Sequence, residues 1–185
     1  MTIDNSRKVH VQAYFIGTRL EALQALQRYA KVSSIITIEG SRVHYHCQSN
    51  NVPVHLVDKK TKNDLFRQLA VGTAPLVLSA GFPFILPTTV LSNGSVFINS
   101  HPALLPKYKG YNSIRNSYKN SEEFMGVTVH IMTEEVDAGP FIHQERIWVK
   151  GMSLQTIYQL LFSVVEPFAI SKALETYYQG HCKNI

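Results

Sequence analysis

Asn99 and His101 stand two residues apart in the run Ile98-Asn99-Ser100-His101-Pro102-Ala103-Leu104-Leu105-Pro106. On an extended strand that spacing sends both side chains to one face. Pro102 disfavours helical dihedrals at the residue before it, so the extended form is expected to hold through His101. An amide and an imidazole side by side at a strand end can donate hydrogen bonds to an oxyanion, given a protonated ring or the right tautomer. The plainer alternative is a histidine capping a turn beside a structural asparagine. Asp137 lies in Glu134-Glu135-Val136-Asp137-Ala138-Gly139-Pro140, where Gly139 and Pro140 predict a tight turn. An aspartate in such a turn commonly binds nearby backbone N–H groups. Of the four aspartates, Asp4, Asp58, Asp64 and Asp137, only Asp137 falls in a loop able to face the strand end of Asn99 and His101. A third stretch, Gly81-Phe82-Pro83-Phe84-Ile85-Leu86-Pro87, follows the most apolar run of the chain. Glycine allows close backbone approach, the prolines stiffen the turn, and the apolar side chains could wall a pocket for a flat ring. A hydrophobic turn packed into the core would look the same.

These residues need elements to hold them. Residues 9–16 are apolar and β-rich, and Gly17 ends the run; Leu20, Leu23, Leu26 and Ala30 then recur at helical spacing. Strands are predicted at residues 34–38, 52–57, 74–80, 95–100, 126–132 and 140–149, the last two joined by a short polar loop. A helix is predicted at residues 61–70 with Leu65, Phe66 and Leu69 inward, and residues 41–51 are ambiguous between helix and loop. Residues 153–178 predict one long helix, bent at Pro167. Strands alternating with helices imply an α/β fold, a doubly wound, mostly parallel Rossmann-like sheet with flanking helices. Its site should lie at the carboxyl ends of the strands, near the switch point. That rule points to the residues after Ala80, Asn99 and Met132.

The length, 185 residues, suits one domain spanning 1–185 with a core that needs no disulfide or structural metal. Hydrophobic residues make up 45% and charged residues 17%, the balance of a globular rather than a disordered chain. Apolar runs such as residues 74–80 are far shorter than a membrane span, and residues 1–8 lack the apolar core of a signal peptide. A cytoplasmic protein with no membrane partner is expected, and Cys47 and Cys182 are read as idle thiols. The net charge of +5 mildly favours an anionic partner; Lys and Arg are scattered, which gives no case for nucleic acid. His44, His46 and Cys47 lack a second ligand pair, so no metal is expected. His130, His143, Trp148, Tyr177 and Tyr178 are read as packing, strand-edge or interface groups. The apolar stripe of the last helix is a core face that could also serve a homodimer.

Asn-x-His-Pro-x-Leu-Leu-Pro, Lys107-Tyr108-Lys109-Gly110, Gly126-Val127-Thr128-Val129-His130 and Val136-Asp137-Ala138-Gly139-Pro140, in this order, resemble the folate-dependent formyltransferase family. That family includes glycinamide ribonucleotide formyltransferase, the catalytic domain of methionyl-tRNA formyltransferase and the sugar N-formyltransferases. The resemblance is dense from about Pro75 to Trp148 and extends plausibly over the chain. It implies transfer of a formyl group from the co-substrate 10-formyltetrahydrofolate to an amine. Asn99 and His101 would polarise the formyl carbonyl, and Asp137 would hold His101 productive and help move protons through a water. The pterin would sit against Phe84, Ile85 and Leu86, with Thr133, Glu134 and Val136 closing over it.

The chain departs from its relatives at the acceptor. The purine-pathway enzyme binds phosphate with a Gly-Ser-Gly-Ser-Asn type loop, where this chain reads Ile16-Gly17-Thr18-Arg19-Leu20-Glu21. A single glycine is poorly suited to such a nest of N–H groups, which disfavours glycinamide ribonucleotide. The chain stops soon after the long helix, which leads us to expect no tRNA-gripping domain and no tRNA acceptor; the basic tail residue Lys183 does not compensate. The leading expectation is a small, anionic amine, with an amino-sugar nucleotide as the first class. A hydrolase passing the formyl group to water, and a non-catalytic folate-binding protein of the same fold, are the rivals. A nicotinamide-binding Rossmann domain lacks its Gly-x-Gly-x-x-Gly turn here.

Overall fold

Residues 76–80 carry no polar alternation, and in the computed structural model all five are buried. That is the signature of a strand covered by helices on both faces. The structure describes residues 11–72 and 74–182. Val9 and His10 of the expected first strand, the Cys182 side chain and Lys183 lie outside the described residues.

The chain runs β1 (Gln12–Gly17), α1 (Leu20–Gln27), β2 (Lys31–Thr37), α2 (Arg42–Ser49), β3 (His55–Leu56), α3 (Lys62–Val71), β4 (Leu76–Ala80), α4 (Thr88–Leu91), β5 (Val96–His101), α5 (Ser113–Lys119), β6 (Phe124–Ile131), β7 (Phe141–Trp148), α6 (Leu154–Leu160), a π-helical turn (Leu161–Val165) and α7 (Glu166–Cys182). The strands form one seven-stranded sheet in the order β3-β2-β1-β4-β5-β6-β7. The first five are parallel; β6 is antiparallel to β5, and β7 to β6. Strand order reverses between β1 and β4. Their ends touch so closely that a Cβ on Gly17 would collide with the Ala80 carbonyl, which explains a glycine there.

Alternation along the central strands feeds two cores. Phe15, Leu78 and Ile98 meet Leu23 and Leu26 of α1 and Ile157, Ile170 and Leu174 of the C-terminal helices. Ile16, Val77 and Phe97 point the other way, toward Leu69, Leu86 and Val90.

Five local expectations change. Residues 41–51 are helical because Ser41 caps α2, its hydroxyl accepting from the His44 N–H at 3.0 Å. Only Val43 and Cys47 of that helix turn inward, one turn apart, which is too little apolar repeat to read in advance. The strand expected at 52–57 shrinks to His55–Leu56 at the sheet edge. Helix α5 buries Ser113, Ile114 and Ser117, mostly polar residues that left no apolar stripe. The β6–β7 connection is a nine-residue loop, 132–140, rather than a tight turn. The single long helix is interrupted by a π turn one step before Pro167, where the Glu166 N–H reaches back to the Leu161 carbonyl. Proline has no N–H to continue an α ladder, and the wider turn absorbs that break. The stretch Leu154–Gly180 is long and apolar enough to cross a membrane, and half of its most apolar window is buried in this fold, as in a core helix.

Candidate active site

Strand β5 ends at the predicted place, and its alternation separates Asn99 and His101 from Ser100. The antiparallel register sets Asn99 opposite His130 and His101 opposite Thr128. Asp137 arrives from the 132–140 loop with φ +53, a left-handed conformation that Asn and Asp tolerate better than most residues. Gly139 beside it lies against the Ile131 carbonyl with no room for a Cβ, which draws the loop back onto β6.

The Asp137 carboxylate gathers four partners. Oδ2 accepts from the Gly110 N–H at 2.8 Å and lies 3.1 Å from His101 Nδ1. Oδ1 accepts from Asn99 Nδ2 at 3.3 Å and lies 3.3 Å from His130 Nε2. Burial alone would raise this carboxyl; the bond from His130, the His101 charge and the Gly110 N–H outweigh it and hold Asp137 below its ordinary value. His101 Nε2 donates to the Tyr108 carbonyl at 2.8 Å, since that oxygen can only accept. Burial pushes His101 below its ordinary value, against the upward pull of Asp137 and the Tyr108 carbonyl. His130 Nδ1 donates to the Ile131 carbonyl at 2.9 Å. Its Nε2 also lies 3.3 Å from Asn99 Nδ2.

All three expected polar residues therefore meet. Asp137 does bind a backbone N–H, but that of Gly110 in a different loop, not a neighbour in its own turn. His130, read from the sequence as a packing or edge residue, joins the cluster. Its signal was the alternation of β6, where Val127 and Val129 face one core and Thr128 and His130 the opposite side.

The cluster opens into a cleft of about 1020 Å³ at the carboxyl ends of β1, β4 and β5. Phe84, Ile85, Leu86, Thr133, Glu134 and Val136 all line it. Their exposures differ: Leu86 is 4% exposed and forms its floor, while Ile85 is 73% exposed. Phe82 and Phe84 pack edge to face at 5.5 Å, a stiff apolar wall. The other half of the cleft is lined by Thr18, Arg19, Tyr111, Arg115, Tyr158 and Phe162. Sequence reading gave none of these a role at the site. Arg19 Nη1 donates to Glu166 Oε1 at 2.5 Å, and Ser100 donates to the same oxygen at 2.7 Å. Glu166 is fully buried, and burial raises its carboxyl against the pull of Arg19 and Ser100.

The family model described as "Formyl transferase" matches residues 15–172. The chain is 30% identical over 136 residues to methionyl-tRNA formyltransferase of Streptococcus suis, covering 73% of this chain and 43% of that protein. It is 36% identical over 85 residues to phosphoribosylglycinamide formyltransferase of Escherichia coli, covering 45% of this chain and 40% of the relative. The chain thus spans less than half the length of these curated relatives. Among solved structures, phosphoribosylglycinamide formyltransferase from Anaplasma phagocytophilum superposes with a TM-score of 0.77 at 27% identity, covering 92% of this chain and 88% of that one.

Proposed function

The chain belongs to the formyl transferase family, and from that premise we propose that it moves a formyl group from 10-formyltetrahydrofolate to the amine of a small acceptor. The observation that carries the proposal is the convergence of Asn99, His101 and Asp137, from two elements far apart in sequence, at the base of one cleft.

The neutral acceptor amine attacks the formyl carbon, and the carbonyl oxygen takes up the negative charge. Asn99 donates to that oxygen. Its two present N–H contacts, to Asp137 and His130, are both 3.3 Å, at the long end of hydrogen bonds, so a developing oxyanion competes well for one of them. The new C–N bond forms, the old one to the folate nitrogen breaks, and the proton lost by the acceptor balances the one gained by the folate. Asp137, kept ionised by its donors, holds His101 through Nδ1 and receives or relays that proton. The pterin lies against Phe84, Ile85 and Leu86, beneath the loop of Thr133, Glu134 and Val136.

The acceptor enters from the half lined by Arg19, Arg115, Tyr158 and Phe162, and an amino-sugar nucleotide is the class we favour. Aromatic rings suit sugar and base faces, and the arginines suit phosphates. Glycinamide ribonucleotide is less favoured because Thr18 spends its own N–H on the Ala80 carbonyl at 3.0 Å.

Calorimetric titration with a non-hydrolysable 10-formyltetrahydrofolate analogue tests the donor, and a screen of amines with the true donor tests the acceptor. Stoichiometric binding followed by formylation of a small amine is the expected result. Formate release without any amine would make the protein a hydrolase. Formylation of methionyl-tRNA alone would overturn the small-acceptor reading, and no analogue binding would overturn the folate reading.

A further inference from the structure

The turn after β1 is tied to its neighbour through Thr18. That residue gives its N–H to the Ala80 carbonyl and its hydroxyl to the Gly81 carbonyl, both at 3.0 Å. What this turn offers beyond Thr18 is the Arg19 side chain, which lines the cleft. Its guanidinium carbon lies 4.2 Å from the centre of the Phe162 ring. Its Nη1 is bound to Glu166, and the side chain is still 17% exposed while Glu166 is 0% exposed. Phe162 lies within the π turn and Glu166 directly follows it, so this irregular turn supplies both holds on Arg19.

This arrangement is costly for stability. A fully buried carboxylate is paired through one oxygen, and the other, Oε2, has no hydrogen-bond partner among the described residues. Buried pairs of this kind are often no better than apolar residues of the same volume. They do hold a guanidinium still. A guanidinium carries five N–H donors in a rigid plane, and Glu166 engages only Nη1. A second arginine, the exposed Arg115 of α5, lines the same cleft and has no ion pair among the described residues.

We infer that Arg19 selects the acceptor, recognising an oxyacid group on the amine, carboxylate or phosphate, through the donors that Glu166 leaves open. Phe162 and Glu166 are its positioning residues, and Arg115 is the second contact. This rests on the formyl-transfer reading above and adds the residue that selects the acceptor and the kind of group it recognises. The Arg19–Glu166 pair is formally neutral, so discrimination comes from the planar fork of donors rather than from net charge. Lysine, with the charge but not the fork, is therefore not an equivalent.

The test is calorimetric titration of the full chain with inorganic phosphate and, separately, with acetate, with the folate analogue titrated in parallel. Saturable binding of one anion is expected, weakened at least tenfold by Arg19→Gln and Arg19→Lys and less by Arg115→Gln, with folate-analogue affinity equal throughout. Phosphate binding alone assigns a phosphorylated acceptor; acetate binding alone assigns a carboxylate. Equal anion affinity in wild type and Arg19→Gln overturns the inference, as does failure of both anions with a protein that binds the folate analogue. Failure of the analogue itself overturns the donor reading instead. If Arg19→Gln strands Glu166 and does not fold, Arg19→Gln/Glu166→Gln removes both charges and must show the same loss.

Discussion

The two faces of β5 end in different chemistry. On one, Asn99 and His101 join His130 and Asp137 in a network whose contacts run from 2.8 to 3.3 Å. On the other, Ser100 meets the Arg19–Glu166 pair at 2.7 Å, beneath the cleft wall of Phe162 and Tyr158. The first face gathers one carboxylate, two imidazoles and one amide within reach of one another. The second is a buried ion pair, bonded through Oε1 and with no partner for Oε2 among the described residues. The two-residue period of a single strand thereby separates the polar network from the ion pair, and in the proposed reading it separates chemistry from recognition. Each face can be perturbed with little direct contact to the other.

The largest effect is expected on the second face. Glu166→Ala leaves the Arg19 charge without its buried partner and should cost about 3–5 kcal/mol. Urea denaturation measures it, and a loss under 1 kcal/mol would mean the pair is not held as described. On the first face, His101→Ala removes the imidazole that Asp137 holds in the proposed proton path and should lower kcat by about 10²–10³, with folate-analogue affinity little changed. Asp137→Asn should likewise cripple turnover without unfolding the protein. If that variant mainly lowers Tm, Asp137 is a structural turn residue and the division of labour fails.

Smaller effects sharpen the comparison. Gly17→Ala, at the seam of β1 and β4, pushes a methyl group into the Ala80 carbonyl and should cost about 1–3 kcal/mol. Differential scanning calorimetry would show it as a fall in Tm. Ile85→Ala, at a side chain 73% exposed, should change stability by no more than about 0.5 kcal/mol yet weaken the folate analogue. An unchanged Kd would remove Ile85 from the donor wall. The slightest effect is one of pH. Burial holds His101 below its ordinary 6.5, so the folded state binds fewer protons than the unfolded one. Its contribution to stability is complete above that value and declines as pH falls from 6.5 toward the depressed folded value. Wild type should lose stability over that window, and His101→Gln should lose less. Asp137 acts separately and lower: held below its ordinary 3.8, it stabilises above that value and ceases to as pH falls further.

Much of this molecule was legible in one dimension. The unbroken apolar run of residues 74–80 announced a doubly covered strand, the spacing of Asn99 and His101 announced a shared face, and ordered motifs carried the family resemblance. Elements that depend on few or polar contacts were not legible. Helix α2 hangs on one serine cap, α5 buries serines, and the π turn exists because of what surrounds Pro167. His130 was missed because the alternation of β6 gives it a face but no partner, and only the cross-strand register with Asn99 sets it beside Asp137.

Periodicity and turn chemistry act between neighbours a few residues apart, so the sequence by itself determined the sheet class and the shared face of Asn99 and His101, and its ordered motifs carried the resemblance that proposes Asn99, His101 and Asp137 for the chemistry. Partners separated by 147 positions, such as Arg19 and Glu166, leave no such trace. Only the packing of the C-terminal helices onto the sheet decided that a buried carboxylate would reach the turn after β1. The Arg19 half of the cleft, which we propose takes the acceptor, is therefore a property of the tertiary structure.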